Sequence, residues 1–315
     1  MYTNSTKTSA SCSCNKKLIP IYGRFQWLNS QLTDNILEKF LKPSSKGRRG
    51  YNKVWMFKWL VYKQVTGCSY RDLETMTSID YSTFVKFRQR LIKRLWFPSV
   101  FKKLILSIVD NLEELTLILD SSFIQTYSKH DEQGSEYNGY KEKNGFKLHQ
   151  MIDFDTRLPL LQIATPGARS DIMLGRNLIR GSPQEWSSKV KGLLADMAYD
   201  GEGFTFEIKQ RWRNAKIGIS VRRTHQEVLG LTSEAITRNR RGKEGGRTLH
   251  KAFRNKRTAV ERYFSRKKRV FRLGEERTRH LKNFRANCYF TSIMEILEWM
   301  SKPAQWVVLF TRLTD

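Results

Sequence analysis

The sequence predicts an α/β protein: a mixed sheet flanked by helices, preceded by an α-helical N-terminal domain. Three observations predict it. Apolar residues recur at helical spacing from Ile21 to about Leu112. Short apolar or alternating runs take over between Leu115 and Val221, and helical, strongly basic text returns from Arg257 to Met300. Repeats near 3.6 and near 2 mark the amphipathic helix and the half-buried strand.

Residues 1–17 are rich in Ser, Thr, Asn and Lys and read as a disordered tail. The helical domain spans 18–112. Within it Val54, Phe57, Trp59, Leu60 and Val61 form an amphipathic run that ends at Gly67. Trp55 and Trp59, four apart, read as core. Ser69-Tyr-Arg-Asp72 is a capping-box pattern opening a short helix through Met76. A further helix carries Phe84, Phe87, Leu91 and Leu95, with Pro98 expected to end it. Three helices joined by tight turns, with Lys86, Arg88, Arg90, Lys93 and Arg94 on the last, fit a helix-turn-helix module and fit a packing or dimerisation domain equally well.

A second domain is expected over 113–301, with 302–315 as a C-terminal tail. Leu115–Leu119 is a short apolar run leading into Asp120, as in a buried central strand. Phe146–Ile152 and Leu158–Thr165 follow as strands, with Gly134–Gly145 as the loop before them. Ser170-Asp171 caps the next helix. Val190–Ala195 is another apolar strand, again leading into an aspartate, Asp196, and Lys216–Val221 is a fifth. Three strands, helix, strand, helix, strand, helices is the order of a ribonuclease H-like fold.

Fifty-seven Lys and Arg against 30 Asp and Glu give a net charge of +27 and a pI near 10.1. Such an excess repels itself in the folded state, so an anionic partner is expected. Nucleic acid is favoured over membrane, because no strong amphipathic anchor accompanies the basic stretches. Cys12, Cys14, Cys68 and Cys288 form no zinc pattern. The N-terminus has no apolar signal region, and the apolar stretch Tyr289–Phe310 is broken by Glu295, Glu298, Lys302 and Pro303. A soluble, cytoplasmic, nucleoid-associated protein is expected.

Two aspartates at the ends of neighbouring strands can converge, since adjacent strands lie about 4.8 Å apart. Singly, each also fits a turn-forming role. A third acid, Glu261, sits in the basic segment Arg254–Arg272, pinned on one helix face by Val260, Phe264 and Phe271. At about 100° per residue, Arg257 and Lys268 share its stripe. That arrangement suits a metal ligand beside bound phosphate, and suits an intrahelical ion pair as well. Three converging carboxylates repel unless a cation sits among them. Hard oxygen donors select Mg²⁺ or Mn²⁺, and two such ions can drive phosphodiester displacement. His149 reads as a structural histidine, Asp171 and Asp200 as caps or turn residues, and Arg238–Gly246 as a basic loop.

Several of these segments resemble the DDE transposases of prokaryotic insertion sequences, whose catalytic core is ribonuclease H-like and similar to that of retroviral integrases. Leu119-Asp120-Ser121-Ser122 resembles the first-Asp strand and Gly145-Phe-Lys-Leu-His149 the strand after it. Asp196-Met-Ala-Tyr199-Asp200-Gly201 is similar to the second-Asp motif. Arg257-x3-Glu261-x6-Lys268 matches the third-acid signature, except that the tyrosine usual three residues before the arginine is Arg254. The resemblance implies a transposase that cleaves insertion-sequence ends and transfers the 3′ hydroxyl into target DNA. It implies Asp120, Asp196 and Glu261 as metal-binding catalytic residues holding two Mg²⁺ or Mn²⁺ ions, and Arg257 and Lys268 as DNA contacts. Its implied partners are duplex DNA, as terminal inverted repeats and target, and a second copy of the chain in a synaptic homodimer. A silent, domesticated DNA-binding relative and a ribonuclease H-like nuclease are the alternatives.

Overall fold

A computed structural model describes residues 19–20, 23–42, 50–126, 134–219, 246–275 and 280–302, with the side chains of 246–257 and 275 left out. The expected tail over 1–17, the basic loop Arg238–Gly246 up to its last residue, and the tail over 303–315 lie outside the described residues. The described residues divide into two compact units: the first runs to Arg94 and takes in Leu297–Lys302, and the second runs from Leu95 to Ile296.

The first unit is helical among its described residues: α1 (Gln31–Phe40), α2 (Lys53–Thr66), α3 (Tyr70–Thr77) and α4 (Tyr81–Lys93). Asn52 caps α2 through its side chain, and Gly67, in the left-handed region at φ 77°, ends it. Nearly the whole of its first half is buried, with Trp55 edge-on to Trp59 at 5.8 Å and tilted against Phe84 of α4 at 6.4 Å. Both tryptophans are core. The Ser69–Asp72 capping box forms at the start of α3, with both reciprocal hydrogen bonds present.

The second unit opens with α5 (Trp96–Asp110), where the structure departs from expectation. The chain breaks at Leu95, which takes a left-handed φ of 52°, and Pro98 falls in the first turn of the new helix. A proline there loses nothing, because first-turn N–H groups have no intrahelical acceptor. Pro98 therefore helps to start a helix, where the sequence pattern reads it as a stop.

Six strands follow: β1 (Leu115–Gln125), β2 (Glu136–Asn138), β3 (Lys143–Asp153), β4 (Pro159–Pro166), β5 (Val190–Ala195) and β6 (Lys216–Ile219). They are joined by α6 (Asp171–Arg180) and α7 (Glu202–Arg211), and followed by α8 (Gly246–Arg269) and α9 (Leu281–Met300). β3 takes β2 and β4 in succession along one edge and β1 along the other, all antiparallel. β5 lies parallel to β1, and β6 parallel to β5. The short β2, inside the expected loop, is too brief to show a period.

The sheet is covered on both faces. Alternate residues Ile118 and Ile124 of β1, Phe146, Leu148 and Ile152 of β3, and Leu194 of β5 pack under Ala259, Val260, Tyr263 and Phe264 of α8 and Phe284 and Cys288 of α9. Phe146 and Phe284 stack at 4.6 Å. On the opposite face α6 comes so close that a Cβ on Gly175 would stand 2.9 Å from both Phe204 and Tyr199 and 3.0 Å from Leu119. This mixed sheet between helices is the architecture expected.

Candidate active site

Asp120 does not end its strand. β1 runs on to Gln125, and Asp120 pairs with Gln150 of β3 inside the ladder. Asp196 follows directly on β5 and opens a single 3-10 turn, Met197–Tyr199. The parallel register pairs Leu119 with Ala195, so the next residues, Asp120 and Asp196, stand beside each other. Since Ile118 and Leu194 point at α8, pleat alternation aims both aspartates to that same face. With Ile118, Leu119, Leu194, Ala195 and Val260 of α8, they line one small cavity of about 10 Å³. Each is oriented by a backbone donor: Ser121 N–H to Asp120 Oδ1 at 2.7 Å, and Ala198 N–H to Asp196 Oδ1 at 2.7 Å.

Glu261 is placed differently. Its neighbour Val260 reaches the aspartate cavity, but Glu261 itself is exposed and lines an open groove with Thr258, Arg262, Ser265, Arg266 and Arg269. Among the described residues, no three His, Cys, Asp or Glu side chains are gathered closely enough to hold a metal ion. Arg257 lies on α8, its side chain outside the described residues. Lys268, half-buried, crosses to β1 and donates to the Phe123 carbonyl at 2.9 Å.

The opposite face of the sheet, behind the aspartates, carries a polar cluster that local pattern does not reveal. Lys147 and His149 alternate on β3, and both meet Asp171 at the start of α6: Lys147 Nζ at 2.7 Å, His149 Nδ1 at 3.3 Å. Asp171, read from sequence as a cap, is instead an ion-pair partner, while Ser170 makes no side-chain cap bond. His149 Nε2 lies 3.1 Å from Thr165 Oγ1, and burial holds the imidazole below its usual pKa despite Asp171. Burial would raise the Asp171 pKa, but hydrogen bonds from His149, Lys147 and Ser121 outweigh it and hold the carboxyl at about 2. Tyr199 completes the cluster. Burial first, then the charges of Asp171, Asp120 and Asp196, push its phenol well above the usual range, with Ser121 opposing. Its buried hydroxyl makes no hydrogen bond of regular geometry. Only its place in the Asp196-x2-Tyr199 text marks it in sequence.

Two in-register carboxylates lining one small cavity form a negative pair, and an oxygen-only donor pair suits a hard divalent cation. Asp120 and Asp196 therefore fit as two of the oxygen ligands of such a cation. What the strands supply is a fixed pair; Glu261 of α8 lines a separate groove and is not gathered with it.

Comparison with known proteins bears on this geometry. A family model described as the transposase DDE domain matches residues 111–294, more than half of the chain and spanning every strand. A search of curated proteins finds no match. Among solved structures, the fold is similar to the piggyBac transposase in a cryo-EM synaptic complex with hairpin DNA, with 12% identity and a TM-score of 0.50, covering 95% of this chain and 76% of that one. At that identity the likeness is one of fold. With the family domain running from the end of α5 into α9 and carrying both aspartates, the chain belongs to the DDE transposase family.

Proposed function

We propose that this transposase cleaves DNA at the ends of its element and joins the freed 3′ hydroxyl to target DNA, with Asp120, Asp196 and Glu261 as its catalytic carboxylates. The observation that carries the reading is the register of β1 on β5, which sets Asp120 beside Asp196 within the family domain. Mg²⁺ or Mn²⁺, two ions held by the three acids, would supply polarisation of the phosphodiester and a lower pKa for the attacking hydroxyl. The residues do the remaining work. Ser121 and Ala198 N–H groups fix the two carboxylates, so little reorganisation is needed on binding. Arg257 and Lys268 hold phosphates on the α8 side. DNA is the partner, in keeping with the net charge of +27 and with the hairpin DNA in the piggyBac complex. The helical domain over 18–112 binds or pairs the ends, its α4 presenting Lys86, Arg90 and Lys93 around one shallow cavity, and a homodimer forms the synapse.

The test uses duplex DNA ending in the element's inverted repeats, with Mg²⁺ or Mn²⁺. The parent should release 3′-hydroxyl ends and join them to a second duplex. Asp120→Asn and Asp196→Asn should each lose about a hundredfold or more. Glu261→Gln cleaving as well as the parent would remove Glu261 from the site and leave the aspartate pair. The exposure of Glu261 favours one second reading, a chain that binds DNA without turnover; absence of any metal-dependent nick would select it.

A further inference from the structure

A second cavity, of about 470 Å³, opens along β1 from the residue after Asp120. It is lined by the later half of β1 from Ser121 to Gln125, by Lys141 and Lys143 at the turn between β2 and β3, and by Lys268 and Gly274 after the α8 core contact. That volume is far more than one small ion needs. Three ammonium groups converge on it, and among the described residues that line it none is acidic. The convergence has an electrostatic cost. Lys268 is held below the usual lysine pKa, first by burial and then by the charge of Lys141. Lys268 also gives one proton to the Phe123 carbonyl, and an ammonium group has two more to donate.

The turn carrying the other two lysines is fixed in place. Asn138 donates through Nδ2 to the Gly167 carbonyl at 2.7 Å and accepts from the Lys141 N–H at 3.0 Å. Glu136 pairs with Arg169 at 2.8 Å and accepts from the Ala168 N–H. Two aromatic rings stand in solvent here, Tyr137 of β2 at 56% exposure and Tyr140 of the turn at 89%, and Lys141 Nζ lies 4.9 Å from the Tyr140 ring centre. Clustered cations with an exposed ring beside them match the two needs of an unpaired nucleic-acid strand, whose phosphates need charge and whose bases need a flat apolar face.

We propose that this cavity is a binding site for a single strand of DNA, its phosphates on Lys141, Lys143 and Lys268 and one base on Tyr140. The site abuts Ser121, the residue after Asp120, so the strand it holds is the one whose phosphodiester bond meets the carboxylates. The choice of DNA as the polyanion, and the meeting of its phosphodiester bond with the carboxylates, rest on the transposase reading; the cation cluster and the exposed ring do not.

The experiment measures affinity of the full chain for a fluorescent single-stranded oligonucleotide of about a dozen nucleotides across a salt series. Each lost phosphate contact should flatten the slope of log K against log salt by about 0.7, so Lys141→Ala/Lys143→Ala should flatten it by about 1.4. Lys102→Ala/Lys103→Ala on the exposed face of α5 removes the same charge elsewhere and should change it by far less. Tyr140→Ala should weaken binding about fivefold or more, with Tyr140→Phe near the parent. Equal effects of the two lysine pairs, or none from Lys141→Ala/Lys143→Ala, would overturn the proposal. If the parent fails to cut end DNA yet the slope falls as stated, the strand site stands and the transposition reading fails. If the parent cuts and the slope is unmoved, the reverse holds.

Discussion

Lys267 and Glu295 are wholly buried between α8, α9 and the sheet, 2.7 Å apart. The Tyr263 hydroxyl lies 2.9 Å from Glu295 Oε2 and 3.1 Å from Gln150 Oε1, with one proton to share between them, and Lys267 also donates to Ser292 at 2.7 Å. Burial pulls the lysine pKa down and the glutamate pKa up, while their mutual attraction opposes both shifts. Removing one partner strands the other charge in a low dielectric. Lys267→Met should cost about 3–5 kcal/mol, and Lys267→Met with Glu295→Leu much less, read from urea unfolding midpoints. The Asp171 cluster sets the acid limb of stability. Its folded pKa of about 2 lies below the unfolded 3.8, so its contribution is complete above pH 4 and is lost as pH falls toward 2. That contribution is at most about 2 kcal/mol, less after solvent screening. His149 also has a depressed folded pKa, so it adds an earlier loss of stability as pH falls below about 6.5. Asp171→Asn should flatten the lower step in an acid titration of the melting temperature.

At the scale of elements, the antiparallel pair β1–β3 closes on a glycine. A Cβ at Gly145 would lie 2.4 Å from the Ile124 carbonyl and 2.5 Å from the Phe123 ring. Backbone and ring cannot both yield, so Gly145→Ala should destabilise by about 1–3 kcal/mol, seen in thermal melts. Most elements were legible in the sequence because their signals are local. The Ser69–Asp72 box, the Val190–Ala195 run and the Leu281–Met300 helix each carry their period or cap within a few residues. That Asp120 and Asp196 lie on neighbouring strands was legible too, since an apolar run leading into an acid locates a strand; that β1 continues past Asp120 to Gln125 was not. Asp171 was not: its partners Lys147 and His149 are distant in sequence, and a serine-aspartate pair before a helix carries the same text whether it caps or bridges. Leu95 hid likewise, because a left-handed leucine leaves no compositional mark and Pro98 drew the break to itself.

For the whole molecule the net charge of +27 governs behaviour in solution. Self-repulsion is screened by salt, whose Debye length falls from about 10 Å at 0.1 M to about 3 Å at 1 M. Raising salt should therefore lift the melting temperature of the free protein while lowering its DNA affinity steeply, two opposite trends measurable on one preparation. Among the described residues no helix is long and apolar enough to cross a membrane. The continuation of β1 to Gln125 beyond Asp120 has a mechanical consequence for this assembly. Sheet hydrogen bonds grip the chain on both sides of the first carboxylate, so that part of the molecule acts as an anvil. α8 meets the sheet through side chains, among them Val260, Tyr263 and Phe264 in the core and Lys268 on the Phe123 carbonyl. Any displacement carrying Glu261 toward the aspartate pair would disturb the packing of α8, its buried Lys267–Glu295 pair included, before it disturbed the sheet.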